Sequence, residues 1–371
     1  MTSYANYVLS TCGTSLLTNA RSDDERRLVN RHTNARTRAA VEQQSPEDVA
    51  RIDAIIQQVR ETMQRADANA AARLSAELNG LLSFYQGPSI PSGDQHVLLC
   101  TDTWLGEEAA SIVADWLRAQ GGRVEICRQR DLQTQDLESF QLALAEIVRW
   151  CEEVLPGYRQ DRYRIVFNLT GGFKSVQGFM QTLALFYADE TVYIFESQKS
   201  LLRIPRLPVR MAATDEIRVH LRVFRRLSRQ LPVAADELRP LSETLLMRIN
   251  GECALSPWGE LRWQQAKREI YPERLYPSPS DRIRFGSRFE ESVRALAPDR
   301  LRLVNERLDD VAAYLERGDH RNRLDLKPLR GNPHPPSTHE CDAWADQDAR
   351  RIFGHYEGAV FVLDKLDRAL H

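Results

Sequence analysis

Ile165-Val166-Phe167-Asn168-Leu169-Thr170-Gly171-Gly172-Phe173-Lys174-Ser175 sets the architecture of the first half of the chain. An apolar, β-branched run ends in Asn-Leu-Thr, two glycines follow, and Lys174 and Ser175 open another apolar segment. The pattern predicts a buried strand, a tight turn and a helix start. Such a turn aims bare backbone N–H groups, a helix N-terminus and a cation at one point, which suits a phosphate. The lysine stands out, because the chain has five lysines against forty-five arginines. A Walker A loop is excluded, since Phe173 stands where that motif needs glycine before its Lys-Ser pair. A plain strand–helix corner with a solvated lysine is the competing reading.

Working outward, residues 4–10 read as a first strand, followed by the small polar turn Thr11-Cys12-Gly13-Thr14-Ser15. A turn directly after a first strand is where open α/β sheets bind ligands, although the G-x-G-x-x-G dinucleotide fingerprint is absent. Residues 21–86 are polar and helical. Ser45-Pro46-Glu47-Asp48 is a helix start, and Val49, Ile52, Ile55, Ile56, Val59 and Met63 recur at helical spacing. Leu74, Leu78, Leu81, Leu82 and Tyr85 form a second stripe. Together they predict a helical hairpin inserted into the α/β domain, with core packing accounting for both stripes. Strands at 96–101, 124–128, 163–169 and 191–196 then alternate with helices at 107–120, 136–155 and 175–188. That alternation implies a parallel sheet covered on both faces.

From about residue 202 the pattern changes. Pro205, Pro208, Pro232 and Pro240 punctuate arginine-rich helical segments, and residues 256–261 open either a winged-helix fragment or a linker bundle. Beyond Pro272, Pro277 and Pro279 come two amphipathic helices (288–297 and 301–315), a polar prolyl loop, and strands at 340–344, 349–355 and 359–364. The expected organisation is residues 1–205, a helical linker at 206–280, and an α+β domain at 281–371.

Length and composition frame these expectations. The 371 residues suit two or three domains, and 42% hydrophobic with 27% charged residues is ordinary for a globular protein. The formal net charge of −2 does not advertise nucleic acid, so any such contact must come from a local patch. Six cysteines without a CxxC pair or zinc spacing predict buried thiols in a reducing compartment. The N-terminus lacks a basic and apolar leader, and no apolar run is long enough to span a bilayer. The expected location is the cytoplasm, with no membrane partner.

Two motifs carry a resemblance. CGTSLLTN (residues 12–19) and FNLTGGFKS (residues 167–175), in this order and each at a strand end, resemble the CARF domain, the CRISPR-associated Rossmann-like sensor. The resemblance spans roughly the first two hundred residues. It implies a homodimer that binds a cyclic oligoadenylate across its two-fold axis, with each subunit holding half of a cyclic tetra-adenylate ring. Carried onto this sequence, the pocket comprises Gly13, Thr14, Ser15, Asn168, Thr170, Gly171, Gly172, Phe173 and Lys174. In relatives that cut the ring, the counterparts of Ser15 and Lys174 assist. No cofactor or metal is implied, only the messenger as activating ligand. Neither motif offers a general base, so any ring cleavage is expected to be slow.

The C-terminal segments LDLKPLRGNP, HECDAW and ARRIFGHYEGAVFVLDKLDRALH resemble the RelE fold of ribosome-dependent mRNA endonucleases. These enzymes surround one phosphate with cationic side chains. The resemblance places Lys327 and Arg330 in a basic loop, Arg350 and Arg351 on the arginine strand, and Lys365, Arg368 and His371 in the tail. His339 and His355 are acid or base candidates because histidine titrates near neutrality. One of Arg350 and Arg351 is expected to be solvated, or paired with Asp346 or Asp348. The segment is not basic overall, with sixteen Arg/Lys against seventeen Asp/Glu from residue 281 onward. The usual final tyrosine is missing.

A sensor joined to such an effector resembles the CARF–RelE fusions, which are CRISPR-associated mRNA interferases. The implied function is ribosome-dependent mRNA cleavage by 2′-OH transesterification, activated by cyclic tetra-adenylate. The implied partners are messenger, mRNA, ribosome and a second copy of the chain. Two other readings remain open. One is a messenger-controlled transcription regulator that uses residues 253–270 on DNA. The other is a ring nuclease with an inactive C-terminal module.

Overall fold

A computed structural model describes residues 5–133, 135–195, 200–207, 214–249, 251–318, 324–330 and 335–368. The chain divides into two units, Met1–Arg210 and Met211–His371. The expected boundary at 280 falls inside the second. Among the described residues, no helix is long and apolar enough to cross a membrane.

The first unit begins with β1 (Asn6–Thr11) and the short α1 (Ser15–Thr18). Five helices follow: α2 (Asp23–Arg31), α3 (Arg38–Gln44), α4 (Pro46–Gln64), α5 (Ala68–Leu74) and α6 (Ala76–Tyr85). Strands and helices then alternate as β2 (Gln95–Cys100), α7 (Trp104–Ala119), β3 (Arg123–Arg128), α8 (Leu137–Gln160), β4 (Arg164–Asn168), α9 (Lys174–Tyr187), β5 (Glu190–Phe195) and β6 (Ser200–Pro205). The sheet order is β3-β2-β1-β4-β5-β6. All neighbours are parallel except β5 and β6. This is a mixed α/β, Rossmann-like sheet. The chain steps from β1 outward to β2 and β3 on one side, then returns to place β4 against the other side of β1. The switch point, where crossovers diverge and a crevice opens, therefore lies between β1 and β4.

The insertion is not a hairpin. Polar breaks at Thr37, Ser45, Asp67 and Ser75 each start a new helix, which divides the expected pair into five. The apolar stripe of α4 packs into one core with Val8, Leu98 and Val166 of the sheet, so these helices complete the sheet's cover. Ser45, Pro46 and the acidic first turn do begin α4, but the Ser45 side chain makes no cap bond.

The second unit starts with α10 (Thr214–Val219), α11 (Leu221–Ser228), α12 (Ala235–Leu238), the hairpin β7 (Leu246–Ile249) and β8 (Glu252–Leu255), and α13 (Pro257–Ile270). Then come β9 (Ile283–Phe285), α14 (Ser287–Val293), α15 (Pro298–Arg317), β10 (Lys327–Pro328), β11 (His339–Trp344), β12 (Arg350–Glu357) and β13 (Val360–Arg368). These strands form one sheet in the order β10-β11-β12-β13-β9, with β9 parallel to β13 and the other pairs antiparallel. Two strands of this sheet go beyond the expectation: the two-residue β10 at one edge and the three-residue β9, which precedes the helices, at the other. Helices α14 and α15 cover one face through Phe289, Val304, Leu308 and Val311 against Cys341, Ile352, Leu363 and Leu366.

A buried ionic cluster joins α11 to α15. Arg225, 1% exposed, donates to Asp309 at 2.6 Å and to the Pro277 carbonyl at 2.5 Å, and Tyr271 donates to the other Asp309 oxygen. Arg226 forms a two-pronged pair with Glu316, both contacts at 2.9 Å. Unpaired, Arg225 or Asp309 would cost several kcal/mol, of order 3–5. The segment before residue 280 is therefore welded to the sheet that follows it.

Candidate functional sites

In the first unit the turns after β1 and β4 meet at the switch point. A Cβ on Gly13 would lie 3.0 Å from the Gly172 Cα, so the two backbones touch. Gly172 has φ +99°, which a side chain would strain, and its own Cβ would strike Thr11. The Thr11 hydroxyl donates to the Gly171 carbonyl at 2.5 Å, and Gln177 donates to the same oxygen at 2.8 Å.

A third element, whose part in the site the sequence reading did not assign, holds both turns. Glu77, at the start of α6, is fully buried and accepts the Gly13 backbone N–H at 3.0 Å. Its other oxygen accepts the Ser75 hydroxyl at 2.8 Å. A Cβ on Gly171 would stand 2.2 Å from Glu77 Oε1. The Asn168 amide donates to the Glu77 carbonyl at 2.9 Å and to Ser10 Oγ at 3.1 Å. Burial pushes the Glu77 carboxyl up, and the bonds from Gly13 and Ser75 pull against it.

The expected ligand residues therefore divide by role. Gly13, Asn168 and Gly171 turn their polar groups inward and build the turn. Thr170 Oγ1 also faces inward, donating to Asn168 Oδ1 at 2.9 Å. Thr14 is nearly buried and reaches Thr33 of the insertion at 3.4 Å. Three features face outward or stand unsatisfied. Lys174 is exposed and makes no ion pair with another described residue. Phe173, the N-cap of α9, offers no side-chain oxygen, so the first N–H groups of that helix lack a side-chain cap. The Ser15 hydroxyl is buried with no hydrogen-bond partner among the described residues. A buried orphan hydroxyl calls for an explanation, and an incoming acceptor is one.

In the second unit the expected cationic residues fall on two faces of the sheet. Alternation along β12 puts Ile352 and Gly354 on the helix-covered face and Arg351, Phe353 and His355 on the other. Arg350 shares the parity of Ile352 and pairs with Asp348 at 3.3 Å. His339, opposite Gly354, packs its ring on Tyr356 and Phe361, and burial pushes its pKa down. These two expected residues thus stand apart from Arg351. Arg330 is exposed in the loop after β10, and His371 lies outside the described residues.

The second face brings together Lys327, Arg351, Lys365 and His355. Each is matched by carboxylates. Arg351 meets Glu340 at 2.8 Å, Asp342 at 3.0 Å and Asp325 at 3.2 Å. Lys327 meets Asp325 at 2.6 Å, and Lys365 meets Asp367 at 2.7 Å. His355 Nδ1 lies 2.9 Å from Asp364, whose carboxylate also accepts the Ser337 hydroxyl at 2.7 Å. Glu340 is 8% exposed, and its Oε2 has no hydrogen-bond partner among the described residues. Sequence reasoning missed Glu340 and Asp364. The only available signal was their alternation with apolar neighbours on adjacent strands.

Residues 253–270, which the regulator reading places on DNA, carry cations that are paired. On α13, Arg262 pairs with Glu216 at 2.8 Å and Lys267 with Glu306 at 3.4 Å. Leu261, Trp263, Ala266 and Ile270 face the core. The helix before the hairpin, α12, is four residues long and brings Asp236 and Glu237 rather than a basic stripe.

An open sheet with two polar turns meeting at its switch point defines a Rossmann-like α/β unit. Residues 72–207 match the family described as CRISPR-associated protein (Cas_APE2256). The match begins just before α6, the helix that holds both turns, and runs through the end of the sheet. It supports a CRISPR-associated protein. No curated protein matches the chain.

Proposed function

We propose that the chain is a messenger-activated ribonuclease of type III CRISPR defence. The first unit acts as a CARF-type sensor that binds cyclic tetra-adenylate across a homodimer. The second acts as a RelE-like endonuclease on mRNA in the ribosome. The observation that carries this reading is the meeting of the two motif turns at one switch point, the second of them within residues 72–207, the stretch similar to a CRISPR-associated family. Lys174, the uncapped start of α9 and the Ser15 hydroxyl supply charge and donors for a phosphodiester. Slow in-line attack by a ribose 2′-OH on its own ring phosphate would reset the signal without metal.

On the effector, Arg351 and Lys365 stabilise the charge that develops on the phosphate, and the free oxygen of Glu340 accepts the 2′-OH proton. The products are a 2′,3′-cyclic phosphate and a 5′-hydroxyl. The test incubates the full chain with cyclic tetra- or hexa-adenylate and translating ribosomes while following both ring and mRNA. Messenger-dependent cleavage of ribosome-bound mRNA is expected. Identical cleavage with and without messenger sinks the proposal, because coupling is its content.

A further inference from the structure

The second face of the C-terminal sheet holds an arrangement that the cationic set leaves unused. Ser337 donates to Asp364 Oδ2 at 2.7 Å, and Asp364 holds His355 Nδ1 at 2.9 Å. Ser337 is 2% exposed, so this anchor is fixed. The other ring nitrogen, Nε2, meets Glu357 Oε1 at 3.3 Å, and Glu357 in turn pairs with Arg284 of β9. Both ring nitrogens thus face carboxylates. Neutral imidazole has one N–H and can donate to only one of them; the imidazolium donates to both. The Asp364 bond accordingly pushes the His355 pKa up, with Glu357 adding to it and partial burial opposing. The charged groups around the ring are Asp364 and Lys365 from β13, Glu357 from its own strand and, through Glu357, Arg284 from β9.

Position supplies the second argument. Beside Asp364 and Lys365 lies a cavity of about 610 Å³, also lined by Ser287, Arg288 and Ser337. Arg288 makes no ion pair with another described residue. Phe353 forms the floor between the chemical groups. Glu340 stands opposite it on β11, Lys365 opposite it on β13 with Nζ 5.8 Å from the ring centre, and His355 two residues along β12. Glu340 and His355 are diagonal neighbours, roughly 7–8 Å apart between backbones, on either side of the fully buried Phe353. An unsatisfied acceptor on one side and an anchored donor on the other is the division of labour that transesterification needs.

We infer, resting on the ribonuclease reading above, that His355 is the general acid of the effector and that Asp364 and Ser337 position it. In the step, the 2′-oxygen bonds to phosphorus and gives its proton to Glu340. The P–O5′ bond breaks, and the departing 5′-oxygen takes the proton from His355 Nε2, displacing the long Glu357 contact. The leaving nucleotide lies toward the cavity, where Arg288 meets its next phosphate.

The test uses the full chain, cyclic tetra-adenylate and ribosomes programmed with an mRNA cut at one bond. A second mRNA carries a bridging 5′-sulfur at that bond, because a thiolate leaves without a proton. His355→Ala is expected to cut the ordinary mRNA at least about 100-fold more slowly and the sulfur mRNA at the wild-type rate. Asp364→Asn removes the main support of the imidazolium, so the alkaline fall of the rate should move to lower pH. Equal slowing on both mRNAs, an unslowed His355→Ala, or an unmoved limb in Asp364→Asn overturns the inference. A wild-type protein without messenger-dependent cleavage overturns the ribonuclease reading instead.

Discussion

Replacing Gly80 by alanine tests whether α6 is locked against the turn after β4. Two effects of opposite sign compete. Alanine is the better helix former by about 1 kcal/mol, which favours the variant. Its Cβ, however, would lie 2.2 Å from Asn168 Oδ1 and 2.5 Å from Thr170 Oγ1. Neither atom can retreat freely. Asn168 is fully buried and tied through its amide to Ser10 and Glu77, and its Oδ1 accepts the Thr170 hydroxyl. Overpacking of this kind costs about 1–3 kcal/mol, and each hydrogen bond lost adds about 1 kcal/mol. The clash wins, for a net loss of about 2 kcal/mol. In a unit of some two hundred residues that lowers Tm by roughly 4–8 °C. Gly178, in the middle of α9, is the internal contrast, since a Cβ there meets nothing within 4 Å. Gly178→Ala should therefore stabilise by about 0.5–1 kcal/mol. Thermal unfolding of both variants, followed by titration with cyclic tetra-adenylate, reads the result. If Gly80→Ala matches or exceeds wild type in Tm, α6 does not hold the turn as described.

Other consequences follow from the same geometry. Glu77→Gln keeps an acceptor for Gly13 and removes a buried charge; because burial raises the Glu77 pKa, wild type loses stability as pH rises through that value. The variant should therefore gain on wild type in urea unfolding as pH rises above the ordinary carboxylate range, and a constant difference would refute the assignment. Arg225→Met strands Asp309 and should cost about 3–5 kcal/mol in the same measurement; Arg225→Met with Asp309→Leu should recover most of it, as expected for a buried pair. Lys174→Ala should weaken cyclic tetra-adenylate binding and leave Tm unchanged, because Lys174 is exposed; unchanged affinity removes it from the pocket.

The elements that the sequence makes legible are those whose signals are local. β4, its double-glycine turn and α9 are spelled out within eleven residues, and the same holds for β1 and its turn. Their meeting at the switch point needed only the alternation of strands and helices. Glu77 was hidden because nothing near it reports its role. It sits in a helix whose Leu78, Leu81 and Leu82 read as an ordinary apolar stripe, and its partner Gly13 is sixty-four positions away. β9 was hidden for another reason, since Ile283-Arg284-Phe285 is too short to show alternation and gains its place only by pairing with β13.

The effector cations show a different limit. Residue type marks Arg350 and Arg351 equally, and period-2 alternation says only that they part. The expectation that one of them pairs with Asp346 or Asp348 is met by Arg350 and Asp348. Which arginine shares a face with Lys365 depends on register, and the register shifts within the β12–β13 hairpin, where Phe353 pairs with Lys365 but Gly354 with Leu363. Arg351 is also not a bare cation, because Asp325, Glu340 and Asp342 surround it. A phosphate reaching it must replace carboxylates rather than water, so the exchange is close to balanced and gains little affinity. Tight capture of RNA must then come from elsewhere, and this face is better suited to transition-state charge than to ground-state binding. Under the proposed function that division suits an enzyme whose substrate the ribosome delivers, and it is compatible with a C-terminal segment that is nearly neutral.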